Sequence, residues 1–166
     1  MKHRQIATIA SLLTLVLTAV TPPSLADSTE RNGKLDLSPE LAVLLKAEMG
    51  ELSEGIRAVA LSLAKADWEV LEATSEKMHE SYIMKKSLTP TLAAELKQKL
   101  PPAFKRLDAE FHARALKLQH AAAVRDFELS AFHFSKLVES CASCHAAYAA
   151  KRFPGFNQSP QERHEH

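Results

Sequence analysis

Two thiols and an imidazole stand together in the run Cys141-Ala142-Ser143-Cys144-His145. Cysteines three residues apart, followed directly by histidine, have the spacing that attaches a c-type haem. Each sulfur adds to one vinyl group of the same macrocycle, and the histidine offers a ring nitrogen to the iron. On a helix, steps of three and four residues bring all three side chains within an arc of about 100°. The chain has 2 cysteines in all, so no other sulfur competes for this role. Three other uses of such a pair are weaker. A disulfide between them would close a very short loop and add little stability. A thioredoxin-like redox pair needs a βαβ setting, and the sequence offers no strand pattern. A zinc site needs a second ligand cluster, whereas the 8 histidines are scattered or lie in the C-terminal tail.

The compartment agrees with the haem reading. Lys2, His3 and Arg4 form a positive start, Ile6 to Val20 is an uncharged apolar run, and Pro22-Pro23-Ser24-Leu25-Ala26 closes on small residues. That pattern predicts a secretory signal peptide over residues 1–26, with export to a bacterial periplasm, where c-type haem is attached. The apolar run is too short to span a membrane comfortably, so no stable membrane insertion is expected after cleavage. Removal of residues 1–26 leaves 140 of the 166 residues, enough for one domain with one core. It also removes Lys2 and Arg4, which takes the formal charge from +1 to −1. Such a balance argues against nucleic acid as a partner.

Four apolar stripes at helical spacing position these residues. Residues 27–37 read as a flexible arm. Ser38-Pro39-Glu40 is a helix start, and Leu41, Leu45, Met49, Leu52, Ile56, Val59 and Leu63 follow in steps of three and four to about Lys65. After Lys65-Ala66-Asp67 a second helix is expected over 68–86, with Trp68 as a packing anchor and Leu71, Thr74, Met78 and Tyr82 on one face. Lys85-Lys86 complements its C-terminal dipole. Thr89-Pro90 opens a short helix to about Lys99. Pro101-Pro102 opens the third long helix, with Phe104, Leu107, Phe111, Ala115, Leu118 and Ala122 in line. Beyond Arg125-Asp126 the fourth carries Phe127, Ala131, Phe134, Val138, Cys141, His145 and Tyr148, and ends at Phe153-Pro154-Gly155-Phe156. The expected fold is all-α: an antiparallel up-down-up-down four-helix bundle over residues 38–156 with a covalently bound haem, followed by a disordered tail over 157–166.

Four such helices with Cys-x-x-Cys-His near the end of the last, and Tyr148 three residues after the histidine, resemble the class II c-type cytochromes. That family comprises cytochrome c′ and its low-spin, methionine-ligated relatives. Ala149 departs from the arginine or lysine that often follows the aromatic, and Lys151 and Arg152 come two residues later. The resemblance implies thioether bonds at Cys141 and Cys144, His145 as the proximal iron ligand, and a distal residue from the first helix. Met49 is the only methionine of that helix. It reads either as the sixth iron ligand or as a core residue filling an irregular gap. Met49 lies about 16 Å into its helix and His145 about 10 Å before the expected end of the fourth, which puts them at similar levels if the two helices are antiparallel. Met78 and His112 fall at comparable levels. Arg57 and Lys46 are candidates to pair with haem propionates.

The expected function is that of a non-enzymatic, periplasmic monohaem cytochrome passing single electrons between redox partner proteins. The alternative is a five-coordinate cytochrome c′ binding nitric oxide or carbon monoxide at an open distal site. A thiol–disulfide oxidoreductase is a third reading, from Cys141 and Cys144 alone. The resemblance also allows a homodimer through the first and second helices.

Overall fold

Proline and short polar side chains punctuate the chain where its helices begin. The computed structural model describes residues 33–157. The expected signal peptide over residues 1–26, residues 27–32 of the expected arm and residues 158–166 of the expected tail lie outside the described residues. Six α-helices follow in order: α1 (Pro39–Lys65), α2 (Trp68–Glu80), α3 (Met84–Ser87), α4 (Pro90–Lys99), α5 (Pro102–Ala123) and α6 (Phe127–Tyr148). A 3-10 turn, Pro154–Asn157, comes last, and no strand occurs among the described residues. The Ser38 hydroxyl accepts the Leu41 N–H at 3.3 Å, and Asp67, Thr89 and Asp126 do the same for Val70, Leu92 and Leu129. Each satisfies one of the backbone donors that a helix start leaves without an internal partner. Pro39, Pro90 and Pro102 occupy first-turn positions, where the missing N–H costs nothing. Ala66 (φ 53°) and Arg125 (φ 56°) take the left-handed conformation that turns the chain out of α1 and α5.

The helices form a bundle in which α5 packs along both α2 and α6, α1 packs along α2, and α1 meets α6 over a shorter seam. Val59, Leu63, Leu71, Met78, Phe111, Ala115, Leu118, Ala122 and Leu137 make the core, with Trp68, Phe134 and Cys141 packed against it. On α2 and α5 Leu71, Met78, Phe104, Phe111, Ala115, Leu118 and Ala122 are buried as their spacing predicts, whereas Thr74 and Leu107 are half-buried and Ser75 and Ala121 are buried beside them. Two ring-to-backbone bonds clasp those helices: His112 Nδ1 donates to the Met78 carbonyl at 3.0 Å, and His79 Nδ1 to the His112 carbonyl at 3.1 Å.

Two helix ends differ from expectation. The second helix, expected over 68–86, stops at Glu80, and Ser81 leaves it at φ 68°. The cause is distant in sequence. Glu48 of α1 is 4% exposed, and its carboxylate accepts the N–H groups of Tyr82 (2.9 Å), Ile83 (2.6 Å) and Met84 (3.1 Å). That holds open a break which would otherwise leave buried donors unpaired. Glu48→Ala should therefore destabilise the fold by about 3 kcal/mol or more in urea unfolding, with Glu48→Gln costing less because one acceptor oxygen remains. The last helix ends at Tyr148, five residues before Phe153. The Arg152 and Phe153 N–H groups both bond the Ala149 carbonyl (2.9 and 3.1 Å), which curls the chain back toward the helix it has left.

The inner line of α1 also differs. Leu41, Glu48, Gly55, Val59 and Ser62 are buried, while Met49 is 42% exposed and Ile56 half-buried. Gly55 is needed there: a Cβ would come within 2.6 Å of Tyr82 Oη and 2.7 Å of Met78 Cε. On α6 the buried residues are Ser130, Leu137 and Ser140, and the line of Phe127, Phe134, Val138, Cys141 and His145 lies to one side. On α1 Glu48, Gly55 and Ser62 share the inside with Leu41, Val59 and Leu63, on α6 Ser130 and Ser140 share it with Leu137, and Met49, Phe127 and Val138 are displaced around their helices.

Candidate cofactor site

Cys141, Cys144 and His145 sit in the last two turns of α6, all half-buried, with both thiols free. At 100° per residue they span an arc of about 100°, with Cys144 at the α5 edge and His145 at the opposite one. Cys144 feels Asp108 of α5, while Cys141 packs against the core. Burial pushes both thiols up, Cys144 to about 11, with the negative charges of Asp108 and Cys141 adding to the effect. A nucleophilic redox thiol needs the reverse, a lowered pKa beside positive charge. Burial likewise holds the His145 imidazole below its ordinary value, with the Arg152 charge as a second cause. It is therefore neutral at neutral pH, with a nitrogen lone pair to donate. The ring stacks on Phe153, centroids 4.4 Å apart and planes at 20°.

Met49 is placed by its neighbours on α1. Glu48 and Gly55 face α2 and the break after it. Met49 lies about 100° round the helix from Glu48, beyond the fully buried Leu41 and Val59. This is the flank away from α2, and α1's other long neighbour is α6. Leu45, Leu52 and Ile56 share that flank. Counted from the turns that close α1 and open α6, Met49 is 16 residues back along α1, about 24 Å, and His145 is 18 residues along α6, about 27 Å, so these helix bounds are compatible with the similar depths expected for the two.

The other candidates are engaged elsewhere. Met78 is fully buried in the core between α2 and α1. His112 bonds the Met78 carbonyl and lies 3.7 Å from Asp108, whose carboxylate raises its pKa against the opposing effect of burial. The sign follows: the stability His112 contributes is full below its ordinary pKa near 6.5 and fades as pH rises through the raised folded value. Unfolding free energy should fall over that interval, and Asp108→Asn should flatten the slope. Arg57 is exposed and ion-paired with Glu54, and Lys46 is exposed.

The residue types are those that could hold an apolar macrocycle: Cys141 and Cys144 as thiols for covalent attachment, and His145 as a neutral imidazole for a metal. Among the described residues no three His, Cys, Asp or Glu side chains converge to hold a bare metal ion. Nor is any helix among them long and apolar enough to cross a membrane. Glu48 and Phe153 were not among the residues singled out from the sequence. Glu48 falls between Leu45 and Leu52 in an unbroken four-three spacing, which was the available signal. No family model, no curated protein and no solved structure matches this chain.

Proposed function

We propose that this protein is an exported, single-haem c-type cytochrome of the class II kind, carrying one electron at a time between partner proteins. The observation that carries the proposal is the last two turns of α6, where Cys141, Cys144 and His145 are half-buried together within one arc of the helix, with both thiols free and Cys141 packed against the core. The up-down-up-down order belongs to the same proposal. It is supported by the tight turns at 66–67 and 124–126 and by the Gly33 N–H bond to the Ala147 carbonyl at 3.2 Å, which ties the approach to α1 to the end of α6.

A bound haem supplies the one-electron chemistry. The chain supplies the rest. Cys141 and Cys144 would hold the group through thioether bonds, each thiol hydrogen passing to the vinyl carbon that the sulfur does not bond. Thiols kept protonated by burial retain the hydrogen this addition uses. His145, held neutral, donates its lone pair. Phe134, Val138 and Ile56 exclude water, and a dry surrounding limits the reorganisation that electron transfer costs. Met49 is the sulfur on the facing flank of α1 and the proposed sixth ligand.

The gas-binding alternative draws on one observation. Met49 is 42% exposed, which suits a side chain bordering an open distal position more than one filling it. The test is an absorption spectrum, oxidised and reduced, of protein made with haem-maturation machinery. A colour that survives denaturation, with a sixth ligand in both states, is the expected result. Protein with free thiols and no colour under those conditions would overturn the proposal.

A further inference from the structure

We infer that Phe153 is a positioning residue for His145, setting the rotation of the imidazole and shielding one of its faces from water. The inference rests on the reading of His145 as an iron ligand. A histidine's terminal torsion is broad and nearly two-fold, so nothing in the helix backbone selects the ring's orientation. Iron ligation depends on that orientation, and ligating histidines are ordinarily held by a group outside the ligand set. Here the contact is aromatic. The Phe153 ring lies 4.4 Å from the imidazole centroid with 20° between the planes, a stacked pair.

The local chain makes the stack. α6 closes at Ala149, whose N–H bonds the His145 carbonyl at 2.9 Å. The Ala149 carbonyl then accepts from both Arg152 and Phe153, returning the chain over the last turn. The Asn157 amide donates to the Ala150 carbonyl at 3.1 Å and pins the far side of the loop, while Pro154 prevents the helix from continuing. The Arg152 guanidinium lies over the Phe153 ring, 5.9 Å from its centroid. Imidazole, phenyl and guanidinium are thus joined in series by ring contacts. Ala149, beside the stack, has a side chain too small to cover His145 itself.

Phe153 is 36% exposed, so its truncation should leave the fold intact. The first measurement uses the haem-free chain, because the contacts that build the stack all lie within residues 145–157 and do not depend on the packing of α1 on α6. In proton NMR the His145 ring C–H signals should sit upfield of an unstacked histidine's because of the phenyl ring current. Phe153→Leu should abolish that displacement and Phe153→Tyr should restore it. The second uses the haem-loaded protein. Phe153→Leu should keep covalent haem on a denaturing gel, yet release His145 from iron more readily in guanidinium titration, by roughly 2- to 12-fold in the ligation equilibrium, the range an aromatic pair is worth. Phe153→Tyr should return it to wild type. Unshifted His145 signals in the wild type, or identical ligation in the leucine variant, would overturn the role of Phe153. A wild type that takes up no haem would instead overturn the proposed function, and the haem-free spectra would still decide the stack.

Discussion

Replacing Cys141 and Cys144 together by alanine should abolish covalent haem entirely, the largest effect expected of any change in this chain. With both sulfurs gone, only His145 and apolar contact would retain the macrocycle, and denaturation releases both. The double variant should run colourless on a denaturing gel and be lighter than the wild type by one haem beyond the two sulfurs. Either single variant should keep one thioether and partial colour. Loss of haem should also loosen the fold. α1 packs less extensively on α6 than on α2, so a haem bound between α1 and α6 would supply much of the apolar contact there. Broad unfolding transitions and dye binding would be the signs, whereas the α2–α5 pair, with its histidine clasp, should persist. One other result would redirect the interpretation. A Cys141–Cys144 disulfide in wild-type protein made with haem-maturation machinery would favour thiol chemistry over haem. That outcome would have to overcome thiols that burial holds un-ionised.

The parts of this molecule that could be read from residue order are those whose causes are local. A capping side chain, a first-turn proline and a turn residue act within four positions of themselves. The starts at Ser38, Asp67, Thr89 and Asp126 follow from that short reach. The stripes of α2 and α5 were legible because their apolar residues are also their innermost ones. On α1 the even four-three series is Leu41, Leu45, Glu48, Leu52, Gly55, Val59, Ser62. Three of its members are not apolar, so hydrophobicity alone follows the neighbouring line through Met49, Ile56 and Leu63. Nothing local to Ser81 announces the end of α2 either. Its partner is a carboxylate more than thirty residues earlier. The Cys-x-x-Cys-His run was legible as chemistry because its meaning lies in its spacing. The phenyl ring on His145 depends on a return of chain after Tyr148, and composition does not encode that return.

Met49→Ala should change the iron's spin state while leaving most of the stability in place. If the Met49 sulfur binds iron opposite His145, the ferric wild type is six-coordinate and low-spin, and exogenous ligands must first displace it. Thioether is a soft ligand that favours the ferrous state, so the reduction potential should lie above that of an open or histidine-filled site. Alanine should open the position, turn the iron high-spin and admit carbon monoxide quickly. The packing cost should fall below the roughly 2–5 kcal/mol of a fully buried methionine, because Met49 is 42% exposed on its flank. Stability and spectrum therefore answer different questions. A residue that merely fills space moves the unfolding midpoint slightly and leaves the Soret and visible bands alone; a ligand moves the bands. A wild-type protein already five-coordinate would favour the gas-binding reading. In that case Met49→Ala should alter only how fast small ligands reach the distal face.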